Sequence, residues 1–211
     1  MIGLLGGTFD PIHYGHLRPA QETMAALGLR ELRLIPAGIP PHRAPPVAGG
    51  TDRLAMARLA AREFPGFVVD DREVRRGGPS YTVLTLESLR AELGDRPLCL
   101  LLGLDAFRGI ETWHAWRRLP ELAHLIVMQR PGYALDGLPE WARERRVSDP
   151  VTLAGRPAGG LVIQPVSPQD ISGSGIRARL KRGEPVDGML PKAVIDYIYG
   201  KGIYGHGDRG A

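Results

Sequence analysis

Hydrophobic and polar positions change period several times along the chain, and each change marks an element. Residues 2–6 form a short apolar run ending in glycine, the pattern of a buried strand. After a polar turn, Leu17, Ala20, Met24 and Leu27 recur at helical spacing and predict a helix from about Gly15 that stops at Gly28. A second strand is expected over 32–37, followed by a proline-rich loop over 38–46. Thr51 is placed to cap a helix reaching about Glu63, and 67–71 reads as a third strand. Ser80 is placed to cap a helix over 81–93, ended by Gly94. The run at 97–103 is apolar enough for a strand buried on both faces. Further strands are expected over 124–130 and 161–166, and short helices near 175–182 and 191–199. Strands alternating with helices predict an α/β fold with a doubly wound, mostly parallel sheet and helices on both faces.

Length and composition narrow this picture. A chain of 211 residues, 43% of them hydrophobic, can bury a real core in one domain, here drawn over 1–205. Within it, 131–160 is an irregular insertion rich in Gly, Pro and Arg with a short helix around Trp141. Residues 171–205 form a closing helical part, and 206–211 read as a disordered tail. No run approaches the roughly 20 apolar residues of a membrane span, and the first residues lack the basic start of a signal peptide. A cytoplasmic location and no membrane partner are expected. Cys99 is the only cysteine, so a disulfide framework or cysteine-based zinc site within the chain is excluded, and its apolar setting suits an inert buried thiol. The net charge of +4 raises the question of nucleic acid. Of the basic residues only Lys181, Lys192 and Lys201 are lysine, and the arginines are scattered rather than gathered in a stripe, so no nucleic-acid partner is expected. Anionic small substrates account for the balance equally well.

The chemistry concentrates in GGTFDPIHYGHL at 6–17. A strand runs into Gly6 and Gly7, where the backbone can approach a bound group closely. Backbone N–H groups around Gly7, Thr8 and Phe9, with the positive end of the following helix, favour an anion. His13 and His16 are three apart and can face one site, donating to phosphate oxygens or carrying charge there. A zinc pair is a competing reading, but no third ligand is evident. Neither GxGxxG nor GxxxxGK[ST] occurs. Two merely structural histidines remain the plain alternative. A second cluster, ISGSGIR at 171–177, sets Ser172 and Ser174 at a helix start with Arg177 one turn on, which suits phosphate. Its plain alternative is a cap and a solvated arginine.

GGTFDPIHYGHL resembles the signature of the HxGH nucleotidyltransferases, relatives of the class I aminoacyl-tRNA synthetases, and ISGSGIR resembles that family's ISSTxIR motif. Gly173 departs from it, standing where the family usually has Ser or Thr. Three further segments are similar to the bacterial nicotinate-nucleotide adenylyltransferases: IPAGIPPHR at 35–43, GGPSYTVLTL at 77–86 and GLDAFRGIETWHAW at 103–116. The resemblance covers nearly the whole chain, least clearly 134–160, and implies a Rossmann-like fold. It implies that Arg43 holds the substrate phosphate, that the backbone at Thr82 meets the pyridine carboxylate, that Asp105 contacts a ribose and that Trp113 stacks on the pyridine ring. His114 stands where the family often has another aromatic.

The implied reaction is adenylyl transfer from ATP to nicotinic acid mononucleotide, with His13 and His16 catalytic and Gly6, Gly7, Thr8, Phe9, Asp105, Ser172, Ser174 and Arg177 around the nucleotide and its phosphates. Mg²⁺ would enter with ATP, with no dedicated protein metal site. The same transfer to nicotinamide mononucleotide or another phosphorylated small molecule, a non-catalytic ATP-binding module, and an RNA-binding module stay open as rivals. A homo-oligomer is compatible with everything above.

Overall fold

The computed structural model describes residues 1–41, 44–130 and 137–205. Its sheet contains β1 (Ile2–Gly7), β2 (Glu31–Pro36), β3 (Phe67–Val69), β4 (Leu98–Gly103), β5 (His124–Gln129) and β6 (Leu161–Pro165). The order is β3-β2-β1-β4-β5-β6, and every neighbouring pair is parallel. This is the doubly wound arrangement expected from the alternation of periods. Its strand order reverses between β1 and β4, and such sheets bind ligands outside the strands' carboxyl ends at that point.

Helices α1 (Tyr14–Ala26), α2 (Gly50–Ala61), α3 (Arg72–Arg76), α4 (Thr82–Leu93), α5 (Leu104–Arg108), α6 (Leu119–Leu122), α7 (Glu140–Arg143), α8 (Gly173–Lys181) and α9 (Lys192–Lys201) surround the sheet. Successive side chains of a strand point to opposite faces, so each strand feeds two cores. Leu5, Leu34, Cys99, Leu101 and Ile126 pack with apolar residues of α1, α2, α8 and α9. Leu4, Leu98, Leu100, Leu102 and Val127 pack with those of α4, α5 and α6. The unbroken apolar run of β4 follows from this double burial. Cys99 is fully buried, and burial pushes its thiol up to about 12. Among the described residues, no helix is long and apolar enough to cross a membrane.

Several local expectations are corrected. Thr51 lies inside α2, whose cap position is Gly49; Arg53 N–H already bonds Gly49 O, so the helix begins earlier. Ser80 does not cap α4. Tyr81 occupies the cap position, and the Ser80 hydroxyl instead accepts from Gly38 N–H at 2.8 Å. Helix α3 was not expected, because its sequence REVRR carries no apolar periodicity. The short helix around Trp141 is present as α7, followed by a 3-10 turn over Pro150–Gly155. The tail over 206–211 lies outside the described residues.

Candidate active site

The turn leaving β1 is shaped by Phe9, which adopts φ 50 and buries its ring completely. A non-glycine residue in this left-handed region costs on the order of 1–2 kcal/mol, so packing must hold it there. The ring meets His16 edge-on, with centroids 5.2 Å apart. Gly6 is exposed and Gly7 and Thr8 half-buried at the strand's carboxyl end. His13 takes the extended cap position of α1, His16 lies in its first turn, and their rings are 3.8 Å apart and tilted by 31°. His16 Nδ1 accepts from His13 N–H at 3.4 Å, which leaves the proton of a neutral His16 ring on Nε2.

His13 is only 5% exposed, and its buried Nδ1 has no hydrogen-bond partner among the described residues. Burial, seconded by the positive charge of Arg130, lowers its pKa to about 4. The His13 ring is thus neutral at ordinary pH. The same shift has a stability consequence. Between pH 6.5 and about 4 the unfolded chain protonates His13 while the folded chain does not, so stability falls as pH falls through that window. The full loss from this group is on the order of 3 kcal/mol. Wild type should therefore lose thermal stability more steeply than His13→Gln between pH 6.5 and 4. Parallel melting curves for the two proteins would contradict this.

The second cluster docks on the first through several contacts. Ser167 N–H donates to Glu22 of α1 at 2.7 Å, and Arg18 of α1 donates to Gln169 at 3.2 Å. A Cβ on Gly15 would lie 2.8 Å from the Ile171 carbonyl oxygen, so glycine between the two histidines lets the motifs touch. Arg177 Nη1 donates to the Asp10 carbonyl at 2.6 Å and lies 3.7 Å from the Asp10 carboxylate. Ser172 caps α8, its hydroxyl accepting from Gly175 N–H at 3.1 Å, and Ser174 stands exposed in the first turn. A Cβ on Gly173 would come within 3.2 Å of the Asp10 carbonyl. That close approach gives a physical account of glycine where related motifs carry Ser or Thr. His13, His16, Ser172, Ser174 and Arg177 thus border one edge of the sheet.

The segments at 77–86 and 103–116 also meet. Thr82 opens α4, and the Tyr81 ring lies 4.4 Å from that of His114. Trp113 is half-buried beside the core, whereas Trp116 packs on Trp141 at 5.2 Å. Asp105 follows the carboxyl end of β4 with its side chain 98% exposed, 3.9 Å from Arg108. Arg43, like its neighbour His42, lies outside the described residues.

Three polar residues beneath the site gave no signal in sequence. Asp10 reads as a turn residue, yet its buried carboxylate accepts from Val47 N–H at 2.9 Å, Ala48 N–H at 3.0 Å and Tyr204 O–H at 2.7 Å. Arg53 lies on α2, yet is 1% exposed and donates to the carbonyls of Thr8, Ala37, Gly38 and Ala48. Glu73 of α3 is buried beside Ser80 and accepts from the Thr85 hydroxyl at 2.6 Å; burial raises its pKa. Arg130, at the carboxyl end of β5, adds positive charge near His13.

A depression of about 640 Å³ lies at the opposite edge of the sheet, lined among others by Glu121, Arg145, Arg146 and Arg156. Neither motif reaches it.

Comparison with known proteins bears on the whole of this arrangement. Residues 4–179 match the cytidylyltransferase-like family. The chain is 54% identical to a protein of Halorhodospira halophila, with 97% of this chain and 95% of that one aligned. It is 48% identical to a protein of Methylococcus capsulatus, over 97% and 99% of the two chains. Both relatives carry the name "Probable nicotinate-nucleotide adenylyltransferase". The nicotinic acid mononucleotide adenylyltransferase of Plasmodium falciparum, solved with NaAD, superposes with a TM-score of 0.73 at 17% identity, covering 96% of each chain. At that identity the superposition speaks for the fold, while the closer relatives speak for the family. The chain belongs to the cytidylyltransferase-like family and, within it, to the nicotinate-nucleotide adenylyltransferases.

Proposed function

We infer that this chain transfers the adenylyl group of ATP to nicotinic acid mononucleotide, giving nicotinic acid adenine dinucleotide and pyrophosphate in NAD biosynthesis. The observation that carries the reading is the docking of the histidine turn on the Ser172–Arg177 turn, seen in the 2.6 Å bond from Arg177 to the Asp10 carbonyl. Two anion-seeking turns on one edge suit a triphosphate spanning them.

In this reading an oxygen of the mononucleotide phosphate attacks the α-phosphorus of ATP. The new P–O bond forms as the bond to the β-phosphate oxygen breaks, and pyrophosphate leaves with the electron pair. The nucleophile is already ionised at neutral pH, so no protein nucleophile is needed, and catalysis is positioning and charge stabilisation. His13 and His16, with the backbone around Gly7, Thr8 and Phe9, stabilise charge developing on the triphosphate. Ser172, Ser174 and Arg177 hold the departing pyrophosphate. Asp105 meets the nucleotide ribose. Arg43 holds the mononucleotide phosphate, while Thr82, Trp113 and His114 surround the pyridine end.

Among the described residues no group of three or more His, Cys, Asp or Glu stands together to hold a metal. Mg²⁺ would enter with ATP, held mainly by the triphosphate, and would neutralise phosphate charge there. The test is pyrophosphate release by the purified protein with ATP and each mononucleotide in turn. Release with nicotinic acid mononucleotide well above that with nicotinamide mononucleotide is expected. The reverse preference would move the substrate assignment, and silence with both would remove it.

A further inference from the structure

We propose that Tyr204, acting through Asp10, is a positioning residue that sets the phosphate-facing arms of the site; this rests on the adenylyl-transfer reading. Nothing in the chemistry of the reaction calls for a residue this far along the chain, yet Tyr204 is only 8% exposed and holds φ 72. Its hydroxyl donates to Asp10 Oδ1 at 2.7 Å. Burial first, and then the bond to Asp10, raise its pKa, so the hydroxyl keeps its proton and remains a donor.

What makes the bond more than local is where Asp10 sends its other contacts. Oδ1 also accepts from Ala48 N–H, and Oδ2 accepts from Val47 N–H, at the end of the loop that leaves β2. Oδ2 lies 3.7 Å from Arg177 Nη1 of α8, and that same nitrogen donates to the Asp10 carbonyl. One carboxylate therefore joins the loops that leave β1 and β2, the helix of the second motif, and the turn after α9. Arg53 ties the same two loops together through Thr8, Ala37, Gly38 and Ala48.

A carboxylate that accepts three hydrogen bonds and faces the charge of Arg177 sits where these pulls balance. Removing the Tyr204 hydroxyl withdraws one pull, and the charge of Arg177 is the nearest unspent attraction. The carboxylate would shift toward Arg177 and draw its guanidinium away from the triphosphate, loosening Val47 and Ala48 as it goes. The loss should appear in substrate binding rather than in the chemical step.

The experiment compares wild type, Tyr204→Phe and Tyr204→Ala for the KM values of both substrates, kcat, melting temperature and equilibrium binding of ATP alone. Both variants should show ATP affinity and KM weakened about five- to tenfold, with kcat changed far less. Only Tyr204→Ala, which also loses the buried ring, should melt appreciably lower. Wild-type ATP binding and KM values in Tyr204→Phe overturn the proposal, as does a loss of activity that merely follows a loss of folded protein. Binding of ATP alone is read without any mononucleotide, so an error in the assigned acceptor would show in the wild-type turnover assay and not here.

Discussion

Replacing His16 by alanine is expected to lower kcat by about 10²–10³-fold while the protein stays folded, the usual loss when one preorganised donor to developing charge is removed. The side chain is half-buried in the first turn of α1, where its Nδ1 accepts a long 3.4 Å bond from His13 N–H. Its ring is fixed edge-on by Phe9 and flanked by His13, so the donor is aimed before substrate arrives. Steady-state pyrophosphate release together with a melting curve checks the claim. An alanine variant with nearly unaltered turnover and an unaltered melt would take His16 out of the chemistry.

The second large effect concerns stability. Arg53→Met should destabilise the protein by about 3–5 kcal/mol, because it strands carbonyls that now share one buried guanidinium. For a chain of this size that corresponds to roughly 10 °C in melting temperature. Four backbone acceptors, at 2.5–3.1 Å, draw on that one side chain. Arg53→Lys should fall between, since a lysine keeps the charge but not the planar fork that reaches four oxygens. A methionine variant melting within a degree or two of wild type would mean that water satisfies those carbonyls instead.

The framework was legible in the sequence because it rests on period. β1, β2, β4, β5 and β6 announce themselves as apolar runs closed by Gly, Pro or charge, and the glycine turn and ISGSGIR stand out against ordinary loop composition. Arg53, Asp10 and Tyr204 were not legible, because each is polar within a segment that reads as surface. Only the folded chain shows that they face one another across 43 to 194 residues. Helices α3, α5 and α6 span four or five residues each, too short for a 3.6-residue period to register. The two cap errors have different causes. Thr51 and Ser80 have the right side chains for a cap, but Gly49 and Tyr81 hold those positions, and Ser80 is drawn away by Gly38 N–H. At Ser80 local propensity lost to a tertiary bond, and at Thr51 to an earlier helix start.

Cys99, at the middle of the sheet and screened by helices on either side, carries one last implication. Alkylating agents and peroxides act on the thiolate, and this sulfur has neither the ionisation nor the exposure that such reagents require. While the strands stay zipped, oxidative stress has no cysteine handle on the enzyme. Modification of that sulfur would mark molecules whose central strands had already come apart.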